Sequence, residues 1–214
     1  IATEVSMLST HLAMPREGHL QQVYHIFAYL KAKPKKTLAF DPQHPDIDES
    51  RFVKCDWHDF YRDAKEAIPA DAPKPCGNVV STHCFVDADH AGNRITRRSQ
   101  TGILIFINRA PIIWYSKEQN TVETSTFGSE YVAMRIAVEL TEALRYKLRM
   151  YGIPLDGPTN VFCDNEAVTK NVRIPESTLK KKHNAIAYHR AREAVAAGTI
   201  RVTKEDGVTN LADV

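Results

Sequence analysis

The sequence predicts an α/β fold: a five-stranded mixed sheet with helices on both faces, preceded by a small helical segment. Two observations carry this. Short apolar runs that end in an acid, Cys84-Phe85-Val86-Asp87 and Val161-Phe162-Cys163-Asp164, have the length and composition of buried strands. Other segments repeat apolar residues at helical spacing, above all Val132, Ile136, Leu140, Leu144 and Leu148. Their alternation gives the order βββαβαβα and a sheet with helices packed against it.

Taken in order, residues 1–14 place Val5, Leu8 and Leu12 on one helix face, and Pro15 ends that helix. Leu20, Val23, Tyr24, Phe27 and Leu30 mark a second helix over 17–31. Residues 37–40 read as a short strand and the Pro-, Asp- and His-rich 41–48 as a loop. Trp57, Phe60, Tyr61, Ala64 and Ile68 share one side of a helix over 57–68. The prolines of 69–77 read as a linker, dividing the chain into 1–75 and 78–214. The second unit opens with strands over 79–87, 101–107 and 111–116, spaced as an antiparallel meander. A long helix over 129–151 stops before Gly152. Then come a strand over 160–164, a short helix over 165–171, a longer one over 179–197 stopped by Gly198, and a strand over 199–203. Asn210 opens a final helix that the chain truncates.

The 43% hydrophobic and 25% charged fractions are those of an ordinary globular protein. No apolar run reaches the roughly 20 residues of a membrane span. The chain begins at Ile1 without Met or a secretory pattern, which reads as a piece of a larger polypeptide. Cys55, Cys76, Cys84 and Cys163 lack CxxC spacing, which argues against a zinc site. Nothing points to a disulfide framework either, and a reducing compartment is expected.

An acid ending a buried strand is costly unless something satisfies it. Asp87 and Asp164 end strands, Glu130 opens the long helix, and Asp213 follows Asn210-Leu211-Ala212. Converging on one sheet edge, these four acids could hold two divalent ions for phosphodiester cleavage, roughly 4 Å apart. Mg²⁺ suits hard oxygen ligands. Each acid also has a plainer reading: Asp87 as a turn former, Glu130 as an acid favoured by the helix dipole, Asp164 as the cap of the next helix.

The second unit resembles the ribonuclease H domain of copia-type LTR retrotransposons. The resemblance rests on Val86-Asp87-Ala88-Asp89-His90-Ala91-Gly92, Arg98-Ser99-Gln100-Thr101-Gly102, Trp114-Tyr115-Ser116-Lys117 and Ser129-Glu130-Tyr131-Val132-Ala133. It continues through Cys163-Asp164-Asn165, Lys182-His183, Tyr188-His189-Arg190 and Leu211-Ala212-Asp213, covering 78–214. Residues 1–40 look like the thumb and connection end of the preceding reverse transcriptase; no YxDD polymerase motif is present. The resemblance implies a ribonuclease H-like fold and Asp87, Glu130, Asp164 and Asp213 as the metal-binding catalytic acids, with Mg²⁺ or Mn²⁺. It implies removal of RNA from an RNA–DNA hybrid during reverse transcription, inside the cell, in a cytoplasmic particle or the nucleus. Asp89 is expected to support the site from beside it. Gly128 stands where many family members carry an acid, and the loop before Asp213 has Glu205 and Asp206 where cellular ribonucleases H carry a His.

Arg94, Arg97 and Arg98 follow the first strand, and Lys180-Lys181-Lys182 open the last long helix. Such clusters can track phosphates without reading sequence, or simply be solvated surface. His183 and His189 read as packing or polar-network residues. The alternative function is a non-catalytic hybrid-binding or connection module. An integrase-like relative is disfavoured, because its acids run Asp, Asp, Glu, whereas here they run Asp, Glu, Asp, Asp.

Overall fold

The computed structural model describes residues 1–179 and 182–213. In chain order its elements are α1 (Ala2–Ser9), α2 (Glu17–Ala32), a 3-10 turn over Glu49–Arg51, α3 (His58–Tyr61), β1 (Thr82–Asp89), β2 (Gln100–Ile107) and β3 (Ala110–Glu118). Then follow α4 (Thr126–Met150), β4 (Thr159–Cys163), α5 (Glu166–Arg173), a 3-10 turn over Lys182–Asn184, α6 (Ala185–Ala196) and β5 (Ile200–Lys204). The sheet order is β3-β2-β1-β4-β5. β1, β2 and β3 form the expected antiparallel meander, while β4 and β5 join β1 in parallel through helical crossovers.

Strand alternation sorts the residues onto two faces. Cys84, Val86 and Ala88 on β1, with Ile103, Ile105, Val161, Cys163, Ile200 and Val202, pack against one layer of helices. That layer presents Met134, Ala137 and Val138 of α4 and Ala187, Ala191 and Ala194 of α6. On the other face Phe85 stacks on Phe162, ring centroids 4.8 Å apart, and meets Phe106 edge-on. Phe52, just past the first 3-10 turn, covers Phe162. α1 lies over the far end of this face, where Gln100 Nε2 donates to Ser6 Oγ and Ser116 Oγ to Thr3 Oγ1. The expected five-stranded mixed sheet with helices on both faces, preceded by a small helical segment, is thus present.

Several expected boundaries move. Residues 37–40 form no strand: Leu38 and Phe40 are exposed and no sheet edge reaches them. The helix expected over 57–68 reduces to α3, because the chain straightens to carry Glu66 to Arg145 and Arg149, at 2.7 and 2.6 Å. α4 starts earlier than expected, capped by Ser125, whose side chain accepts from the Gly128 N–H. α6 begins at Ala185, after the 3-10 turn over Lys182–Asn184, and not at 179; its Arg192 takes the carbonyls of Asn171, Ile174 and Pro175. Residues 210–213 form a turn in place of a helix start, with the Asp213 N–H donating to the Asn210 carbonyl. Lys180 and Lys181 of the basic run lie outside the described residues.

The stretch before the sheet is firmly attached to it. Trp57, Phe60, Tyr61 and Tyr188 surround the buried Arg192 guanidinium at 4.6 to 5.9 Å. Residues 49–66 therefore touch the sheet unit at Phe162, Arg201 and Glu205 and its helices at Arg145, Arg149 and Arg192. Leu20, Phe27 and Leu30 of α2 stay outside the sheet core, each more than 40% exposed.

Candidate metal centre

β1 outruns β4. Their last register pair is Val86↔Cys163, so Asp87 lies just past the end of β4 and Asp164 is the first residue after it. The C-terminal ends of two parallel neighbours thus present one carboxylate each at the same edge. Glu130 reaches that edge from the second turn of α4, with only 3% of its surface exposed. The α4 start is pinned to the sheet by Gln119, whose Nε2 donates to Thr101 Oγ1 and to the Ser129 carbonyl.

A Glu130 carboxylate oxygen, an Asp164 carboxylate oxygen and Cys163 Sγ all lie within 4.8 Å of one another. The Ala88 N–H donates to the Glu130 carboxylate, while Glu130 Oε2 is buried without a hydrogen-bond partner. Burial, then the charges of Asp87 and Asp164, push the Glu130 carboxyl up to about 9. Burial also raises Asp164, with Asp213 adding to the rise and its own backbone N–H and Lys204 opposing it. Asp87 and Asp164 thus each act on Glu130, and Asp213 acts on Asp164.

Like charges held together in a poorly solvated place disfavour one another's ionised form and call for added counter-charge. A divalent cation would supply it and give Glu130 Oε2 a partner, so these residues fit such an ion. The oxygen-only donors match a hard ion such as Mg²⁺. Cys163 is the exception within reach: burial first, then Glu130, drive its thiol well above the usual range, leaving it a protonated core side chain.

Two plainer readings are resolved. Asn165, not Asp164, caps α5, and Glu130 lies beyond the first turn of its helix. Asp89 turns away from the cluster, its carboxylate lying where a side chain on Gly92 would have to go. In the following turn Arg94 and Arg97 are exposed, while Arg98 pairs with Glu118 at 3.6 Å. Arg94 and Arg98 line a cleft of about 320 Å³ beside Asp89, whose other wall includes Thr3, Thr10 and His11 of the α1 end. Glu205 is engaged by Arg51 and Thr209, and Asp206 accepts from the Val208 N–H. His183 faces Glu123 and His189 bonds Tyr61 Oη, both as network residues. Gln119, Lys204 and Asn210 also belong to the surroundings of the site. Sequence patterns did not single them out, since each is a polar residue beside a strand end or turn.

Over 213 residues the chain is 29% identical to the retrovirus-related Pol polyprotein from transposon RE1 of Arabidopsis thaliana, spanning 12% of that protein's length. It is 27% identical over 209 residues to the corresponding RE2 polyprotein, again 12% of its length. Over 130 residues, 61% of this chain and 10% of the relative, it is 30% identical to the polyprotein from transposon TNT 1-94 of Nicotiana tabacum. Among solved structures, LC11-RNase H1 in complex with an RNA/DNA hybrid is 16% identical over 61% of this chain and 89% of its own, with a TM-score of 0.49. No protein-family model matches the chain.

Proposed function

We propose, from the homology of this chain to retrovirus-related Pol polyproteins of copia-type transposons, that residues 78–214 are a ribonuclease H unit cutting the RNA strand of an RNA–DNA hybrid. Residues 1–75 are then the tail of the reverse transcriptase region of the same polyprotein. The observation that carries the reading is Glu130, with a buried carboxylate oxygen that lacks a partner and lies between the charges of Asp87 and Asp164.

Asp87, Glu130, Asp164 and Asp213 would hold two Mg²⁺ ions, with Mn²⁺ as a substitute. Such ions, when bound, activate the attacking water and offset charge on the leaving oxygen. The chain's own contribution is positional. Strand ends fix Asp87 and Asp164, and the Ala88 N–H orients Glu130. Burial of Glu130 excludes bulk water from one side of the cluster. Arg94 and Arg97 can meet phosphates without reading bases, which suits a hybrid recognised by shape and 2′-OH contacts.

The test is cleavage of a hybrid labelled on its RNA strand. Mg²⁺-dependent cleavage of RNA in the hybrid, and not of the same RNA alone, is the expected result. Hybrid binding without cleavage at any Mg²⁺ or Mn²⁺ concentration would overturn it in favour of a non-catalytic hybrid-binding module.

A further inference from the structure

Asn210 joins the backbone at two of the four acids. Its side chain is 5% exposed. Nδ2 donates to the Val86 carbonyl at 3.1 Å, and Oδ1 accepts from the Ala212 N–H at 3.1 Å. Val86 immediately precedes Asp87, and Ala212 immediately precedes Asp213. One planar amide thus ties the Val86–Asp87 peptide to the Leu211–Ala212 peptide, one residue ahead of Asp213.

The physical need is visible on both sides. Val86 is the last β1 residue paired with β4, so at this point the sheet edge must be completed by something other than a strand. The 205–211 loop has little apolar anchorage: Val208 is 94% and Leu211 58% exposed. The Asn side chain offers a donor and an acceptor on two separate atoms of one rigid plane, whereas Asp would keep acceptors alone. The Asn210 N–H donates in turn to the Asp206 carbonyl, which closes the loop behind it.

We propose that Asn210 is a positioning residue that latches the Asp213 turn onto β1, so that Asp213 meets the carboxylates of Asp87 and Asp164. The latch follows from the hydrogen bonds, and its consequence for turnover rests on the nuclease reading above. Residues that orient ligands from behind typically change metal affinity or activity by 10- to 100-fold.

The test uses the full chain and the variants Asn210→Ala, Asp213→Asn, the double variant, and Ile200→Val as a control for a small loss of core packing far from the loop. Hybrid cleavage is measured against Mg²⁺ and hybrid concentration, and Mn²⁺ affinity by electron paramagnetic resonance. Asn210→Ala should raise half-saturating Mg²⁺ and lower kcat, each about tenfold, with KM for hybrid unchanged. Ile200→Val should leave all three as they are. In the Asp213→Asn background, Asn210→Ala should cost nothing further, because the latch acts through Asp213. Wild-type metal dependence in Asn210→Ala, or a full additional loss in the double variant, would overturn the latch while the nuclease reading stands. A wild-type chain that cleaves no hybrid would overturn the nuclease reading, and Mn²⁺ affinity then decides the latch alone. About tenfold weaker Mn²⁺ binding by Asn210→Ala would support it, and equal binding would sink it.

Discussion

Asn165 takes the cap of α5 and leaves Asp164 free: Asn165 Oδ1 accepts from the Val168 N–H at 3.1 Å, and the Asp164 carboxylate faces Glu130 within the cluster. A cap residue and a ligand stand side by side, and the division of labour makes Asp164 separable from folding.

Asp164→Asn should therefore abolish RNA cleavage with little effect on stability. The change keeps side-chain size and leaves the cap intact, and it removes a charge needed to hold divalent ions. Loss of metal assistance costs several kcal/mol of transition-state stabilisation, about two to three orders of magnitude in rate. Hybrid binding through Arg94 and Arg97 should persist, since it depends on phosphate charge. Cleavage and hybrid affinity at matched salt, for wild type and variant, check both halves. Substantial Mg²⁺-dependent cleavage by the variant would sink the assignment.

Glu130 predicts how pH and cation are linked. Its folded-state carboxyl sits at about 9, above its ordinary 4.5. The metal-free native state therefore binds more protons than the unfolded chain across that window. The corresponding stability is full below the ordinary value and is lost as pH rises towards about 9. Asp164, also raised, acts with the same sign. Melting temperatures without divalent ions should fall over this range, Glu130→Gln should flatten the fall, and Mg²⁺ should restore stability most at the alkaline end. A metal-free profile in which Glu130→Gln is indistinguishable from wild type would contradict the buried, like-charged setting of this group.

Much of this was legible in the sequence, for identifiable reasons. The apolar run Cys84-Phe85-Val86 and the helical recurrence of Val132, Ile136, Leu140, Leu144 and Leu148 are local signals, and they place the strands and α4 to within a few residues. Asp87 and Asp164 were readable as candidates because each follows a short apolar run; Glu130, in the second turn of α4, was readable only through the resemblance. What was not legible depends on partners distant in sequence. Glu66 stops a helix by reaching Arg145, and Arg192 ties α6 to the C-terminal end of α5. Asn210 looks like any turn asparagine until β1 lies beside it. A helical pattern over 57–68 describes propensity, which tertiary ion pairing overrides.

Glu66 should confer acid-sensitive stability. Burial raises its carboxyl, and the bonds and charges of Arg145 and Arg149 more than offset that, leaving it below the ordinary range. A depressed carboxyl stabilises above its unfolded value and loses that contribution as pH falls through the folded one. Glu66→Gln should lower the melting temperature at neutral pH and matter progressively less on acidification below about pH 4. Arg145 is only 3% exposed, so the variant also leaves a buried guanidinium without its counter-charge. An equal loss of stability at neutral and acidic pH would show that packing, not charge, holds this segment.

Arg192→Met tests whether residues 49–66 belong to the folded unit. The Arg192 guanidinium is enclosed by Trp57, Phe60, Tyr61 and Tyr188 and donates to the carbonyls of Asn171, Ile174 and Pro175. Met matches the length of the stem and keeps apolar contact with the rings, but it leaves the Pro175 carbonyl without a donor, while Asn171 and Ile174 keep only those from Ser177. A buried acceptor that loses its partner costs about 1–3 kcal/mol, and a loss of that order is expected. The same change should loosen Trp57, whose 9% exposure depends on the stack it forms over Arg192. Urea unfolding followed by Trp fluorescence reads both effects: a lower midpoint, and easier quenching of the native signal by iodide. Because Arg192 does not contact Asp87, Glu130 or Asp164, cleavage per folded molecule at low temperature should stay near wild type. A variant with unchanged midpoint and unchanged quenching would mean that α3 and its flanks contribute nothing to the stability of the sheet unit.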